Sequence, residues 1–207
     1  MIRFGILGCA RICRRGMIEG IQASGSSRLD AIASRRPGQA AAWADEFSVP
    51  RYYEDYGALI DDPAIDAVYL PLANEEHKAW TLRAAAAGKH VLCEKPLALN
   101  VEDAEEMVAA CRSAGVMLME AFMWRHHPRV AKALELLATG RIGELRLIKM
   151  DFSFTIAPGD SRLDPNRGGG ALFDLGCYGI NLSRLVTGEE PYEIQAVARM
   201  SARQASI

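Results

Sequence analysis

Two groups of residues carry side chains and spacings suited to chemistry. The first is Glu94-Lys95-Pro96, set directly after the apolar run His90–Cys93. Open α/β sheets bind ligands at the carboxyl ends of their strands, so an ammonium there can steady negative charge or assist a proton transfer. The plainer reading is a surface lysine in a turn. Pro96 restricts the residue before it to extended backbone, which fixes the direction of the Lys95 side chain. The isomer of the Lys95–Pro96 bond stays open at this level. Glu94 suits pairing with a ligand or a cation, or capping a helix. The second group is Asp174, Tyr178 and Asn181, preceded by Gly168, Gly169 and Gly170. Spacings of four and three residues put a carboxylate, a phenol and an amide on one helical stripe. Such a stripe makes poor core and a good substrate-facing surface, unless it is a polar face hydrogen-bonded to its neighbours. The glycines let backbone approach something closely, whether a ligand or a facing segment.

A third group opens the chain. An expected first strand runs straight into Gly8, Cys9, Ala10, Arg11 and Ile12, and then into a helical pattern. Dinucleotide binding needs this context: a tight turn, backbone close to a pyrophosphate, and helix N–H groups aimed at it. The fingerprint is partial, because Ala10 replaces the second glycine and Cys13 holds the third position. Its place at the head of a strand–helix–strand chain carries the reading. An acid about 20 residues further on would bind the ribose hydroxyls. Asp30 has that spacing but falls early in the second strand, whereas the ribose lies at the strand's far end. What stands at that end is Ser34, Arg35 and Arg36. A hydroxyl and two guanidiniums suit a 2′-phosphate, which favours NADP, with NAD as the alternative cofactor. A solvated basic turn is the bland reading.

The elements that must position these groups alternate regularly. Strands are expected over residues 3–7, 29–34, 67–70, 90–93 and 116–120, and helices over 10–23, 37–47, 77–87 and 101–114. Asn100 can cap the helix that follows it, and Asp103 favours its first turn. Gly88 and Gly115 stand where a helix needs a left-handed residue to end. This is the pattern of a doubly wound parallel sheet. After Pro128 the rhythm changes to a helix over 129–138, a strand over 145–154, a loop over 157–170, a helix over 171–187 and a strand over 193–200. That is α+β patterning, so the expected domains are 1–122 and 123–207.

Composition narrows the class. Of 207 residues, 50% are apolar and 24% charged, with a net charge of −2. Nothing in that balance points to nucleic acid or an anionic membrane as partner. The apolar runs are too short to span a bilayer, and the amino-terminal stretch lacks the cleavage pattern of a secretory signal. The five cysteines are irregularly spaced, with no His cluster beside them. They read as reduced residues of a cytoplasmic protein, with neither a disulfide framework nor a metal site.

Seven stretches resemble, in order, the glucose–fructose oxidoreductase / inositol dehydrogenase (Gfo/Idh/MocA) family. They are FGILGCARI at the start, ASRR after the second strand, LANEEH at 72–77, CEKPLA at 93–98, MEAFMWRHHP at 119–128, SRLDP at 161–165 and GGGALFDLGCY at 168–178. The resemblance covers essentially the whole chain and points to the dihydrodiol dehydrogenase and NADP-dependent xylose dehydrogenase branch. It implies a Rossmann domain followed by a domain with an open, mostly antiparallel sheet, and a small sugar, sugar-derived alcohol or dihydrodiol as substrate. It also implies further strands beyond Ile207, so that the second sheet is incomplete here, and pairing of two copies through that sheet's outer face.

Carried over position by position, Lys95 is the active-site lysine and Asp174 the helix aspartate. Tyr178 stands where many members have histidine and the dihydrodiol branch has tyrosine. The cofactor would lie against Gly8, Cys9, Ala10, Arg11 and Ile12, against Ser34, Arg35 and Arg36, and against Leu72, Asn74 and His77 beside the nicotinamide. Glu94, Lys95 and Arg125 complete that set, and Arg162 stands near the cleft. Oxidising a hydroxyl requires a base within hydrogen-bond reach. The expectation is that Tyr178 moves the proton and Lys95 supports it electrostatically, with the reverse assignment open. Asp174 would orient a substrate hydroxyl or Lys95. Two other readings stand beside this one: a non-catalytic dinucleotide-binding sensor, and a lyase or glycosidase that oxidises its substrate transiently with NAD.

Overall fold

A computed structural model describes residues 1–198 of the chain. The chain divides into two compact units, Met1–Ala121 and Phe122–Ile207. In the first, six strands form one parallel sheet. They are β1 (Ile2–Leu7), β2 (Ser27–Ala33), β3 (Arg51–Tyr53), β4 (Ala67–Leu70), β5 (His90–Cys93) and β6 (Leu118–Glu120). Their order is β3-β2-β1-β4-β5-β6, which reverses direction at β1 as a doubly wound sheet does.

Strand residues alternate between two apolar layers, because successive side chains leave a strand on opposite faces. Ile6, Leu29, Ile32 and Tyr69 meet Cys13, then Ile18 and Ile21 of α1 (Ile18–Ala23), and Trp43 and Ala44 of α2 (Gln39–Glu46). Leu7, Ala31, Ala33, Val68 and Leu70 meet the other layer. That layer is built from Leu59 and Ile60 of α3 (Tyr56–Asp61), Ala84 of α4 (His77–Ala86) and Met107 of α5 (Val101–Ser113). A sheet covered on both faces explains why β4 reads as an uninterrupted apolar run. Among the described residues, no helix is long and apolar enough to cross a membrane.

β3 and α3 are additions to the expected elements. They span three and six residues, too short for either periodicity to register. The local signal is the cap: Asp55 Oδ1 accepts the Ala58 N–H at 2.9 Å. The single helix expected over 10–23 is instead broken. A wide π-type turn, Cys13–Met17, precedes α1, and Gly16 within it lies outside helical geometry at φ 145°. Punctuation elsewhere is as expected. Asn100 Oδ1 accepts the Asp103 N–H at 2.8 Å, and Gly88 and Gly115 end their helices with φ near +70°.

The second unit holds α6 (Pro128–Ala138) and α7 (Cys177–Thr187), the latter continuing a π-type turn, Leu172–Gly176. Neither expected strand forms among the described residues. Residues 145–154 and 193–198 carry no strand, and residues 199 and 200 lie outside the described part. The loop before α7 is more closely built. Gly169 donates to the Asp164 carbonyl at 2.9 Å and Gly170 to the Arg162 carbonyl at 2.8 Å. A side-chain carbon on Gly169 would lie 2.6 Å from both carbonyl oxygens. The close approach these glycines permit is therefore to their own loop.

At the amino edge of the sheet, charges satisfy one another. A register shift in the β1–β2 pairing leaves Asp30 without a partner on β1, and its carboxylate binds Arg28 and Arg51. Asp30 is thus part of the scaffold, in keeping with its early place in the strand. Arg51 also binds Asp62 at 2.7 Å, and the Tyr53 hydroxyl donates to the same carboxylate at 2.8 Å. Lys89 is buried beside them; its Nζ donates to the carbonyls of Asp62 at 2.8 Å and Ile65 at 2.7 Å. Replacing Lys89 by Met keeps the apolar stem and removes both donors. Lys89→Met is expected to lower the unfolding free energy by about 1–3 kcal/mol, the usual cost of orphaning buried acceptors. Urea titration of the two proteins checks this, and coincident midpoints would rule out the bracing role.

Candidate active site

The carboxyl ends of β1, β4 and β5 lie side by side, and the turns that leave them carry most of the residues singled out in the sequence. After β1 the backbone turns at Gly8, whose N–H donates to the Ala33 carbonyl at 2.8 Å. Gly8 has φ +105°, and a side-chain carbon there would stand 3.0 Å from Leu72 Cδ2 and 3.3 Å from the Tyr56 hydroxyl. Only bare backbone fits, which is what close approach to a pyrophosphate requires. Ala10 is half-buried and Arg11 exposed, while Cys13 is fully buried and closes the turn by donating its N–H to the Ala10 carbonyl at 3.0 Å. Burial pushes the Cys9 thiol up to about 11 and the Cys13 thiol up to about 12. Neither is a nucleophile at neutral pH. The turn's chemistry is that of a backbone cradle, and its residues fit a nicotinamide dinucleotide.

After β2 the three candidate phosphate readers differ sharply in what they touch. Ser34 is buried; its hydroxyl donates to Gln39 Oε1 at 2.8 Å and accepts the Arg36 N–H at 3.1 Å. Arg35 is bound to Glu76 across the crevice, Nη2 to Oε1 at 2.5 Å, with its guanidinium 4.8 Å above the Tyr56 ring. Among the described residues, the exposed Arg36 guanidinium has neither ion pair nor hydrogen bond. Sequence reasoning passed over Glu76 and Tyr56 as partners of this group. Nothing local links them to Arg35; only the strand order does.

After β5 the turn bearing Lys95 is tied on every side. Glu94 N–H donates to the Leu70 carbonyl at 3.1 Å, and Ala121 N–H to the Cys93 carbonyl at 2.8 Å. Glu94 Oε1 accepts the hydroxyl of Tyr69 at 2.5 Å, and Oε2 faces the Lys95 N–H at 3.3 Å. Burial and the neighbouring Glu94 carboxylate push the Tyr69 phenol far up, so it stays a donor throughout the physiological range. Glu120 Oε1 accepts the Leu97 N–H at 2.8 Å. His77 is fully buried, with Nδ1 2.8 Å from the Pro96 carbonyl and Nε2 3.3 Å from the Leu72 carbonyl. The Lys95–Pro96 bond is cis. Lys95 itself is half-buried, carried on a backbone with little freedom.

The second unit holds the other group. Asp174 lies in the π-type turn, where its carboxylate meets Arg162 Nη1 at 3.4 Å; Arg162 is gripped more closely by Asp160. Tyr178, on the first turn of α7, packs edge-on against Phe122 and Phe152, with ring centroids 5.5 and 5.6 Å away. Asn181 lines a cleft of about 400 Å³ with Arg125, Arg184, Leu185 and Glu190, and its buried Oδ1 has no hydrogen-bond partner. The three members of the expected stripe therefore have three separate neighbourhoods. The aromatic wall around Tyr178 was not foreseen, although Phe152 and Phe154 alternate as a strand face would.

Residues 2–122 match the model of an oxidoreductase family with an NAD-binding Rossmann fold, and residues 130–206 match the Gfo/Idh/MocA C-terminal domain. The chain is 44% identical over 187 residues to D-xylose 1-dehydrogenase (NADP(+)) 2 of Haloferax volcanii, covering 89% of this chain and 57% of that protein. It is 37% identical over 178 residues to the mouse trans-1,2-dihydrobenzene-1,2-diol dehydrogenase, covering 86% and 54%. A 3-ketoreductase from Actinomadura kijaniata, solved with NADP and TDP-benzene, superposes with a TM-score of 0.85 at 40% identity, covering 90% of this chain and 57% of that one. The chain thus spans somewhat over half the length of these relatives. By its sequence and its fold, the chain belongs to the Gfo/Idh/MocA oxidoreductase family.

Proposed function

We propose that the protein is an NADP-dependent oxidoreductase that moves a hydride between the nicotinamide and a carbon bearing a hydroxyl in a sugar, a sugar-derived alcohol or a dihydrodiol. The observation that carries this reading is the placement of two features on one sheet edge. The Gly8 cradle and the braced Lys95 turn leave β1 and β5, which flank β4. Residues 1–122 would hold the dinucleotide, and residues 123–207 would supply part of a substrate domain with an open sheet. That sheet's outer face would also pair two copies. The names of the xylose and dihydrodiol dehydrogenases support the substrate class, and both the NADP of the xylose enzyme's name and the NADP in the ketoreductase structure support the cofactor.

A bound nicotinamide supplies the hydride acceptor; the chain's own task is the proton. As the substrate hydroxyl becomes a carbonyl, its proton passes to the Tyr178 oxygen, and in the reductive direction it returns. Only the phenolate can accept that proton, and this reading requires the Lys95 ammonium to favour that form near neutrality. Gly8, Cys9, Ala10, Arg11 and Ile12 would hold the pyrophosphate, and Leu72, Asn74, His77 and Glu94 would line or brace the nicotinamide side. Ser34, Arg35 and Arg36 would bind the adenosine end, with Arg125 a further cofactor contact. Asp174 orients a substrate hydroxyl, and Arg162 holds Asp174.

Mixing the protein with NADP⁺ and a panel of aldoses and diols is expected to give nicotinamide reduction with at least one of them, read by absorbance. Tight NADP⁺ binding without reduction by any would favour the sensor reading. Dinucleotide that stays bound through purification and shows no net turnover would favour the lyase or glycosidase reading. The proton assignment has its own test. Tyr178→Phe is expected to lower kcat by about 10²- to 10⁴-fold, the usual range for a lost general base, while leaving cofactor affinity unchanged. Near-normal turnover in Tyr178→Phe, with turnover abolished in Lys95→Ala, would transfer that role to the lysine.

A further inference from the structure

We propose that Asp160 is a positioning residue for the reaction: by gripping one side of the Arg162 guanidinium, it limits Arg162 to one hydrogen bond with Asp174, which is thereby aimed but not clamped. The inference rests on the oxidoreductase reading, in which Asp174 orients a substrate hydroxyl, and gives Asp160 a part in it. Asp160 holds Arg162 at three points. Its Oδ1 accepts the Arg162 backbone N–H at 3.0 Å and Nε–H at 2.9 Å, and its Oδ2 accepts from Nη2 at 2.9 Å. The two side-chain bonds make the paired geometry in which a guanidinium and a carboxylate fit best. The backbone bond caps the short turn Ser161–Leu163, so main chain and side chain are fixed together. The guanidinium also lies 5.1 Å from the centre of the Phe154 ring, a further restraint on its plane. What reaches Asp174 is Nη1, 3.4 Å from its Oδ2.

The backbone sets the same distances. The Gly170 N–H donates to the Arg162 carbonyl at 2.8 Å, and the Gly170 carbonyl accepts the Asp174 N–H at 3.0 Å, so one residue links the two partners. The carboxylates of Asp160 and Asp174 are 17% and 16% exposed, shielded enough for their pairing with Arg162 to matter more than a surface ion pair does. One cation is therefore shared unequally: the near carboxylate takes a paired grip and the far one a single long bond. A carboxylate held by a paired guanidinium must give up a strong charge-assisted interaction before it can serve a new donor. One held by a single long bond keeps its direction at less cost to such an exchange. Without the Asp160 charge, nothing holds the guanidinium back from turning to Asp174 and gripping it as a pair. Asp160 thus acts on Asp174 through Arg162, from outside the site.

Asp160→Asn keeps an oxygen to cap the turn and removes the charge, so it separates the two tasks of the residue. With the sugar or diol that the panel above identifies, it is expected to raise KM for that substrate by about 10- to 100-fold, as loss of one hydrogen bond to a charged group does, with kcat within about three-fold and KM for NADP⁺ within about two-fold. Asp160→Glu, which restores the charge, should recover most of the loss. Added to Arg162→Ala, Asp160→Asn should change the substrate KM by no more than about two-fold, because its effect passes through Arg162. A crystal structure of the Asp160→Asn protein should show Arg162 giving Asp174 two hydrogen bonds, a readout independent of turnover. An unchanged substrate KM, losses that multiply in the double variant, or an Arg162 that keeps its single bond to Asp174 would overturn the inference and leave the oxidoreductase reading standing. So would a fall in kcat with both KM values unchanged, the mark of a partly unfolded population. If the unaltered protein reduces NADP⁺ with no member of the panel, the oxidoreductase reading falls and the inference falls with it.

Discussion

A turn that leaves a parallel strand has lost the hydrogen-bond ladder, so whatever it presents must be held by other means. At Lys95 those means are three side chains from three elements. Tyr69 on β4 fixes Glu94, His77 at the start of α4 fixes the Pro96 carbonyl, and Glu120 on β6 fixes the Leu97 N–H. Two of the three tie the backbone directly, and the third fixes the carboxylate that precedes the lysine. Each would be costly to bury unpaired, and each is paired with a backbone group or with another brace. The carboxylates of Glu94 and Glu120 therefore help hold the backbone of the turn that carries the lysine.

The two edges of the sheet use charge in opposite ways. At the amino edge, Arg3 binds Asp66, Arg51 binds both Asp30 and Asp62, and Lys89 donates to two carbonyls. Those groups satisfy one another, and the Arg3 guanidinium holds the Asp66 carboxyl well below the usual carboxylate range. Charge at that edge is spent on the scaffold itself. The carboxyl edge instead carries bare backbone at Gly8, an ion pair laid across the crevice at Arg35 and Glu76, and the exposed Arg36. Ligand chemistry in an open α/β sheet concentrates at this edge because helix amino ends and loop side chains converge there. The sequence reading used that asymmetry when it set Asp30 aside and turned to Ser34, Arg35 and Arg36.

What the sequence made legible follows the range of the interactions involved. Caps and stops are local, so Asn100, Gly88 and Gly115 were readable from their neighbours alone. The strand β4 was readable because it is buried throughout and its apolar run is continuous. β3 and α3 escaped because three and six residues cannot express a period. The partners of the site residues escaped for another reason. Glu76 lies 41 positions from Arg35, and Tyr69 lies 25 from Glu94, so no local pattern connects them. Strand order brings them together, and strand order depends on the whole domain.

The second unit shows the same distinction from its other side. Its helices form where expected, because a helix closes its hydrogen bonds within its own segment. The alternation over 145–154 is also present in the residues, with Phe152 and Phe154 on one side and Phe152 packed against Tyr178. Yet no strand forms there among the described residues, and Leu147 remains 80% exposed. A strand is a relation between two segments, since its N–H and C=O groups are satisfied only by a neighbour. Alternating sequence can therefore specify which face of a strand will be buried without specifying that the strand exists. The alternation of Phe152 and Phe154 is written locally, whereas both their packing on Tyr178 and the sheet that would carry them depend on distant segments.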